Sequence, residues 1–178
     1  MRYLKAAWLA AAVLSVIGVG VVHAQIRDAA AKVRGEYGES YTPASRSLYH
    51  ARDYAYDYRS YVQQTRLKKG EVDPEVAKEH AEELGRNIAM LQKHLVRMRK
   101  HAAGDKETLA SLDVIDKHIK EAAKAQVALA ELAAKPPVDA EASEKYSDEA
   151  SKALDLAIAE HDKLMKKLAI ATKKDATK

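Results

Sequence analysis

DPEVAKEHAEELGRNIAMLQKHLVRMRKHAAGD, residues 73–105, decides the fold. It opens on Asp73-Pro74-Glu75, an N-cap followed by a proline at the first helical position, and closes on Ala103-Gly104. Between them Ala77, Ala81, Leu84, Ile88, Leu91, Leu95, Met98 and Ala102 step by alternating fours and threes. That spacing is the seam of a helix packed knobs-into-holes on its neighbours.

The same punctuation recurs on both sides. Thr42-Pro43 reads as a helix start, and Lys68-Lys69-Gly70 as a stop with terminal cations and a glycine. Asp105-Lys106-Glu107 starts a helix that Lys135-Pro136-Pro137 ends, and Asp139 with Glu141 opens another. Helices are therefore expected near 43–69, 74–103, 106–135 and 140–172, each about 40–50 Å long at 1.5 Å per residue. Their seams are Leu48, Ala51, Ala55, Tyr58 and Val62 in the first helix and Leu112, Ile115, Ile119, Ala122, Gln126, Leu129 and Ala133 in the third. In the fourth the seam is Ala150, Leu154, Ala157, His161, Leu164, Leu168 and Ala171. Connections this short make sequence neighbours antiparallel, so the expected fold is all-α, an up-down-up-down four-helix bundle over residues 42–172. The outline resembles that of exported cytochrome-type bundles at the level of architecture alone, because Cys-x-x-Cys-His is missing.

The first 24 residues differ from the rest. Arg2 and Lys5 precede the uncharged run Ala6–Val22, and Val22-His23-Ala24 puts small residues where a signal peptidase cuts. This layout predicts a signal peptide over 1–24, a linker with scope for a short helix over 25–41, and a Lys-rich tail over 173–178. An uncleaved anchor is the alternative, since the run sits at the short end of what spans about 30 Å of hydrocarbon. The expected location is periplasmic or extracellular, with no stable membrane span once the signal is removed.

Composition narrows function. The chain has 178 residues and no cysteine, which excludes disulfides, cysteine-ligated zinc, iron–sulfur clusters and the c-type haem linkage. Lys/Arg and Asp/Glu number 30 and 26, mixed along every segment, so no nucleic-acid partner is expected. There is no Gly-rich phosphate loop, nucleophile elbow or His-Glu-x-x-His, so nothing supports an enzyme.

Two features carry chemistry. In the second helix His80, Asn87, His94 and His101 recur every seven residues on the g flank of the seam; Ser111, His118, Ala125 and Leu132 do so in the third. The pairs 80/132, 87/125, 94/118 and 101/111 all centre on residue 106, inside the Gly104-Asp105 turn. His94 is thus expected to face His118, with His161 and His50 at a similar depth. Neutral imidazoles at one level suit zinc, copper or b-haem iron. Surface and structural histidines are the plainer alternative, and His50 points outward from its seam. The second feature is Tyr49, Tyr54, Tyr56, Tyr58 and Tyr61, five rings in 13 residues. They read either as a stacking platform or as substitutes for absent phenylalanine, rings buried and hydroxyls wet. The reading that results is an exported, non-enzymatic bundle acting by binding a protein partner or by self-association. A Zn, Cu or b-haem bundle using His94, His118, His161 and His50 is the alternative.

Overall fold

The computed structural model describes residues 41–168, all within one compact unit. They form four helices packed against each other: α1 over 41–67, α2 Pro74–His101, α3 Lys106–Ala133 and α4 Ala140–Lys167. No strand occurs among the described residues. The expected signal peptide, the linker up to residue 40 and the Lys-rich tail lie outside them.

Three of the starts are built as their residues dictate. Asp73 Oδ1 accepts from the Glu75 and Val76 amides at 2.8 and 3.4 Å, and Asp105 Oδ1 from Glu107 and Thr108 at 3.1 and 3.0 Å. Asp139 Oδ1 accepts from Ala142 at 3.0 Å. Each aspartate takes up amides that a helix leaves without an internal partner. Thr42-Pro43 is different. Tyr41 is already helical, so these residues lie inside α1 rather than at its cap. α2 and α3 each stop two residues earlier than their patterns suggest. α4 runs to Lys167, level with the first turn of α3, where Lys167 Nζ meets Glu107 Oε1 at 2.6 Å, and the expected end at 172 lies outside the described residues.

Cross-helix contacts run antiparallel. Ser47 meets Met90 and Tyr58 meets His80 between α1 and α2, while Arg99 meets Asp113 and Gln126 meets Ala81 between α2 and α3. Tyr49 meets Asp162 and Gln63 meets Glu144 between α1 and α4. All eight seam residues of α2 are buried, as are those of α1, and those of α3 except the half-buried Gln126. α4 buries a wider face than its apolar pattern implies, because Ser143, Ser147 and Ser151 are buried too. Ser147 Oγ donates to the Ser143 carbonyl at 2.6 Å and Ser151 Oγ to Asp148 at 3.0 Å. A hydroxyl satisfied by its own helix can be buried at little cost.

The far-end loops also contribute. Val72 and Val138 form an isolated antiparallel bridge and are both buried, which ties the α1–α2 connection to the α3–α4 connection.

Candidate functional site

The tyrosine-rich flank of α1 meets the histidine row of α2. The His80 ring lies between Tyr54 and Tyr58, with centroids 4.6 and 4.8 Å away. Its Nδ1 is buried without a hydrogen-bond partner, and burial lowers its pKa against the opposing pull of Glu79 and Asp57. A neutral ring between two aromatic faces is a packing element, favoured because the charged form would lose its water. Burial likewise raises the hydroxyl pKa of Tyr58, whose ring is 3% exposed.

The other flank of α1 meets α4 in a ladder with a period of seven. Tyr49, Tyr56 and Gln63 form one rail, Arg52, Arg59 and Arg66 the second, and Asp148, Asp155 and Asp162 the third. The Tyr49 hydroxyl donates to Asp162 Oδ2 at 3.1 Å and that of Tyr56 to Asp155 Oδ2 at 3.3 Å. Arg59 pairs with Asp148 at 2.7 Å and Arg52 with Asp155 at 3.5 Å. Gln63 donates to Glu144 at 2.8 Å, and Arg66 pairs with the same carboxylate. The Gln63 hydrogen bond, with Arg66 behind it, holds the Glu144 carboxyl below its ordinary pKa. Of the five rings only that of Tyr58 is fully buried and Tyr56 is exposed, and three hydroxyls bond to protein, since Tyr61 also accepts the Asp73 amide at 3.1 Å. This ladder was legible as three sevenfold repeats, once α1 and α4 are recognised as neighbours.

The histidines do not assemble as expected. The register is right: Arg99–Asp113 and Gly85–Gln126 centre on residue 106 or just short of it. The side is not. His80 and Met90 show that the flank of α2 carrying His94 turns toward α1. Arg99 and Gly85, on the opposite flank, are the residues that meet α3. On α3, Glu121 and Ala125 share a flank with His118 and line a groove with Tyr146, Lys152 and Leu156 of α4. His94 and His118 therefore lie on flanks that serve different neighbours. A helix in a bundle shows its two flanks to two partners, and the handedness of the bundle, which helical spacing does not encode, decides which partner gets which.

Each imidazole has its own surroundings. His118 Nδ1 sits 3.0 Å from Glu121 Oε2, one turn along its own helix. His50 is exposed. His94 is half-buried with an unpartnered Nδ1, and burial, with Arg97 nearby, lowers its pKa. His161 is 1% exposed, and burial lowers its pKa to about 4 against the pull of a hydrogen bond to the Tyr41 backbone. The Tyr41 ring lies 6.3 Å away, and His161 Nε2 has no partner. Among the described residues no three His, Asp or Glu side chains come together as a group able to hold a metal ion. None of the described helices is long and apolar enough to cross a membrane. No protein family matches the chain, and no curated protein or solved structure matches it either.

Proposed function

We propose that the protein is an up-down-up-down four-helix bundle, exported behind residues 1–24, that works without catalysis by presenting its outer surface to a protein partner or to a second copy of itself. One observation carries the reading. The aromatic and ionic residues of α1, the best ligand platform in the chain, are engaged in holding α1 to α2 and α4. Large apolar side chains remain outside instead: Met90, Val96, Val127 and Leu156 are each at least half exposed, spread over α2, α3 and α4. Such residues on charged helices are where a partner gains area. Export rests on the order of charge, apolar run and small residues in 1–24.

The test is to isolate the protein from its native host after fractionation, sequence its N-terminus and measure its mass by sedimentation over a concentration series. The reading predicts a first residue of Gln25 and a mass above the monomer, from a partner or from self-association. A full-length cytoplasmic chain would overturn export. A strict monomer at every concentration, with no co-sedimenting partner, would overturn binding and assembly.

A further inference from the structure

The bundle is electrically lopsided. At the end where α2 passes into α3, residues 41–50, 93–109 and 160–168 hold nine Lys/Arg against four Asp/Glu, a balance of +5. At the other end, residues 60–82 and 128–146 hold six against nine, a balance of −3. Arg46, Lys93, Arg97, Lys100, Lys106 and Lys166 are exposed at the basic end, and none forms an ion pair among the described residues.

Helix dipoles explain part of this. Cations in the last turn of a helix are favourable, which covers Lys100 and Lys166. They do not explain Lys106, which opens α3 where a cation faces the positive end of the dipole. Nor do they explain Lys93 and Arg97, which precede the last turn of α2. Lys93, Val96, Arg97 and Lys100 follow one another at i, i+3, i+4 and i+7, so they form one outward stripe on α2. Val96 is 56% exposed within it, and Met90, one turn earlier, is 50% exposed. The apolar face of α2 is committed to the core, but long cationic side chains beside exposed apolar ones offer a surface both charge and apolar area to meet.

We infer that this stripe, with the basic end it leads to, docks on an anionic lipid surface. Charge alone would also attract an acidic polymer, but a hydrated polyanion has no use for Val96 and Met90, whereas a bilayer interface takes up both kinds of side chain. The inference rests on the protein acting through its outer surface and names what one part of that surface meets.

The absence of cysteine allows a direct test on the chain from Gln25, the form that export would leave. Ala103→Cys, at the basic end, and Ala134→Cys, at the acidic end, lie in exposed positions at opposite ends of α3. Each is labelled with a fluorophore and mixed with vesicles carrying a lipid-bound quencher. With phosphatidylglycerol vesicles the Ala103→Cys label should be quenched and the Ala134→Cys label not. Raising salt, or the exposed triple change Lys93→Glu, Arg97→Glu and Lys100→Glu, should bring the first label down to the level of the second, with the circular dichroism unchanged. Equal quenching of both labels, equal quenching by phosphatidylcholine vesicles, or no effect of the triple change would overturn lipid docking. Strong binding of a soluble polyanion such as heparin, with no preferential quenching by vesicles, would overturn it in favour of an acidic polymer. Either failure leaves the mass and N-terminus measurements to judge the broader reading separately.

Discussion

α1 meets α4 through polar rails, whereas α2 meets α3 through an aliphatic seam interrupted by one amide. In the first contact, tyrosine hydroxyls and arginines reach a row of aspartates every seven residues. In the second, Leu84, Ile88, Leu91 and Leu95 pack with Ile115, Ile119 and Leu129 in the common core, and Gln126 Nε2 donates to the Ala81 carbonyl at 2.9 Å. Gly85 makes room for that amide, since a Cβ there would stand 2.9 Å from Gln126 Nε2. The polar rails lie toward solvent and add specificity at little energy; the seam carries burial and uses one half-buried polar group to fix its register.

Three perturbations separate the two contacts, the largest belonging to His161 at the α1–α4 side. Its folded pKa of about 4 lies below the ordinary value of 6.5, so between these values the unfolded chain takes up a proton that the folded chain refuses. The stabilisation is complete above about pH 6.5 and is lost as pH falls toward 4, about 3 kcal/mol in all at 1.36 kcal/mol per pKa unit. Urea midpoints measured from pH 7 to 4.5 should fall for the native chain and much less for His161→Leu. His80 and His94, also lowered by burial, lose stability in the same direction below 6.5 and account for the fall that His161→Leu retains, whereas Asp105, held low by the Thr108 hydroxyl and amide, and Glu144 lose theirs only at still lower pH. Equal pH dependence in the two proteins would remove His161 from the account.

The second perturbation addresses Gln126. Gln126→Ala should cost about 1 kcal/mol for a lost hydrogen bond. Gly85→Ala alone should be near neutral, because the helix gain of about 1 kcal/mol is offset by displacement of the Gln126 amide. In the Gln126→Ala background the same change should stabilise by about 1 kcal/mol. Strict additivity in chemical denaturation would show that Gly85 and Gln126 do not act as a pair.

The smallest effect is expected on the rails. Arg59 and Asp148 pair at 2.7 Å with side chains 31% and 22% exposed. A double-mutant cycle to alanine should give a coupling below about 1 kcal/mol that shrinks with added salt. A coupling well above that, insensitive to salt, would mean the rails hold α1 in place as firmly as burial does.

Helix number, three of the caps and nearly all seam residues follow from spacing alone, because burial forces a period that Leu84, Ile88, Leu91 and Leu95 display openly. Other features had no such marker. Ser143, Ser147 and Ser151 look polar, yet are buried: their own helix satisfies the hydroxyls of Ser147 and Ser151, whereas that of Ser143 is buried without a partner. Val72 and Val138 sit in loops and become core only when two connections meet at one end. The histidines show the limit most clearly: periodicity placed His94 and His118 at one level, but the side each faces depends on bundle handedness. The sevenfold rails of α1 and α4 were present in the residues, yet they gain meaning only once those helices are neighbours.

That choice of side is the central claim, and cysteine pairs in this cysteine-free chain test it most directly. A short thiol-to-thiol cross-linker, about the length of two such side chains, should join Tyr54→Cys with His80→Cys, whose native ring centroids lie 4.6 Å apart, and should leave His94→Cys and His118→Cys unlinked. Rapid linkage of the 94 and 118 pair, with none between 54 and 80, would contradict the account and restore a histidine site between α2 and α3.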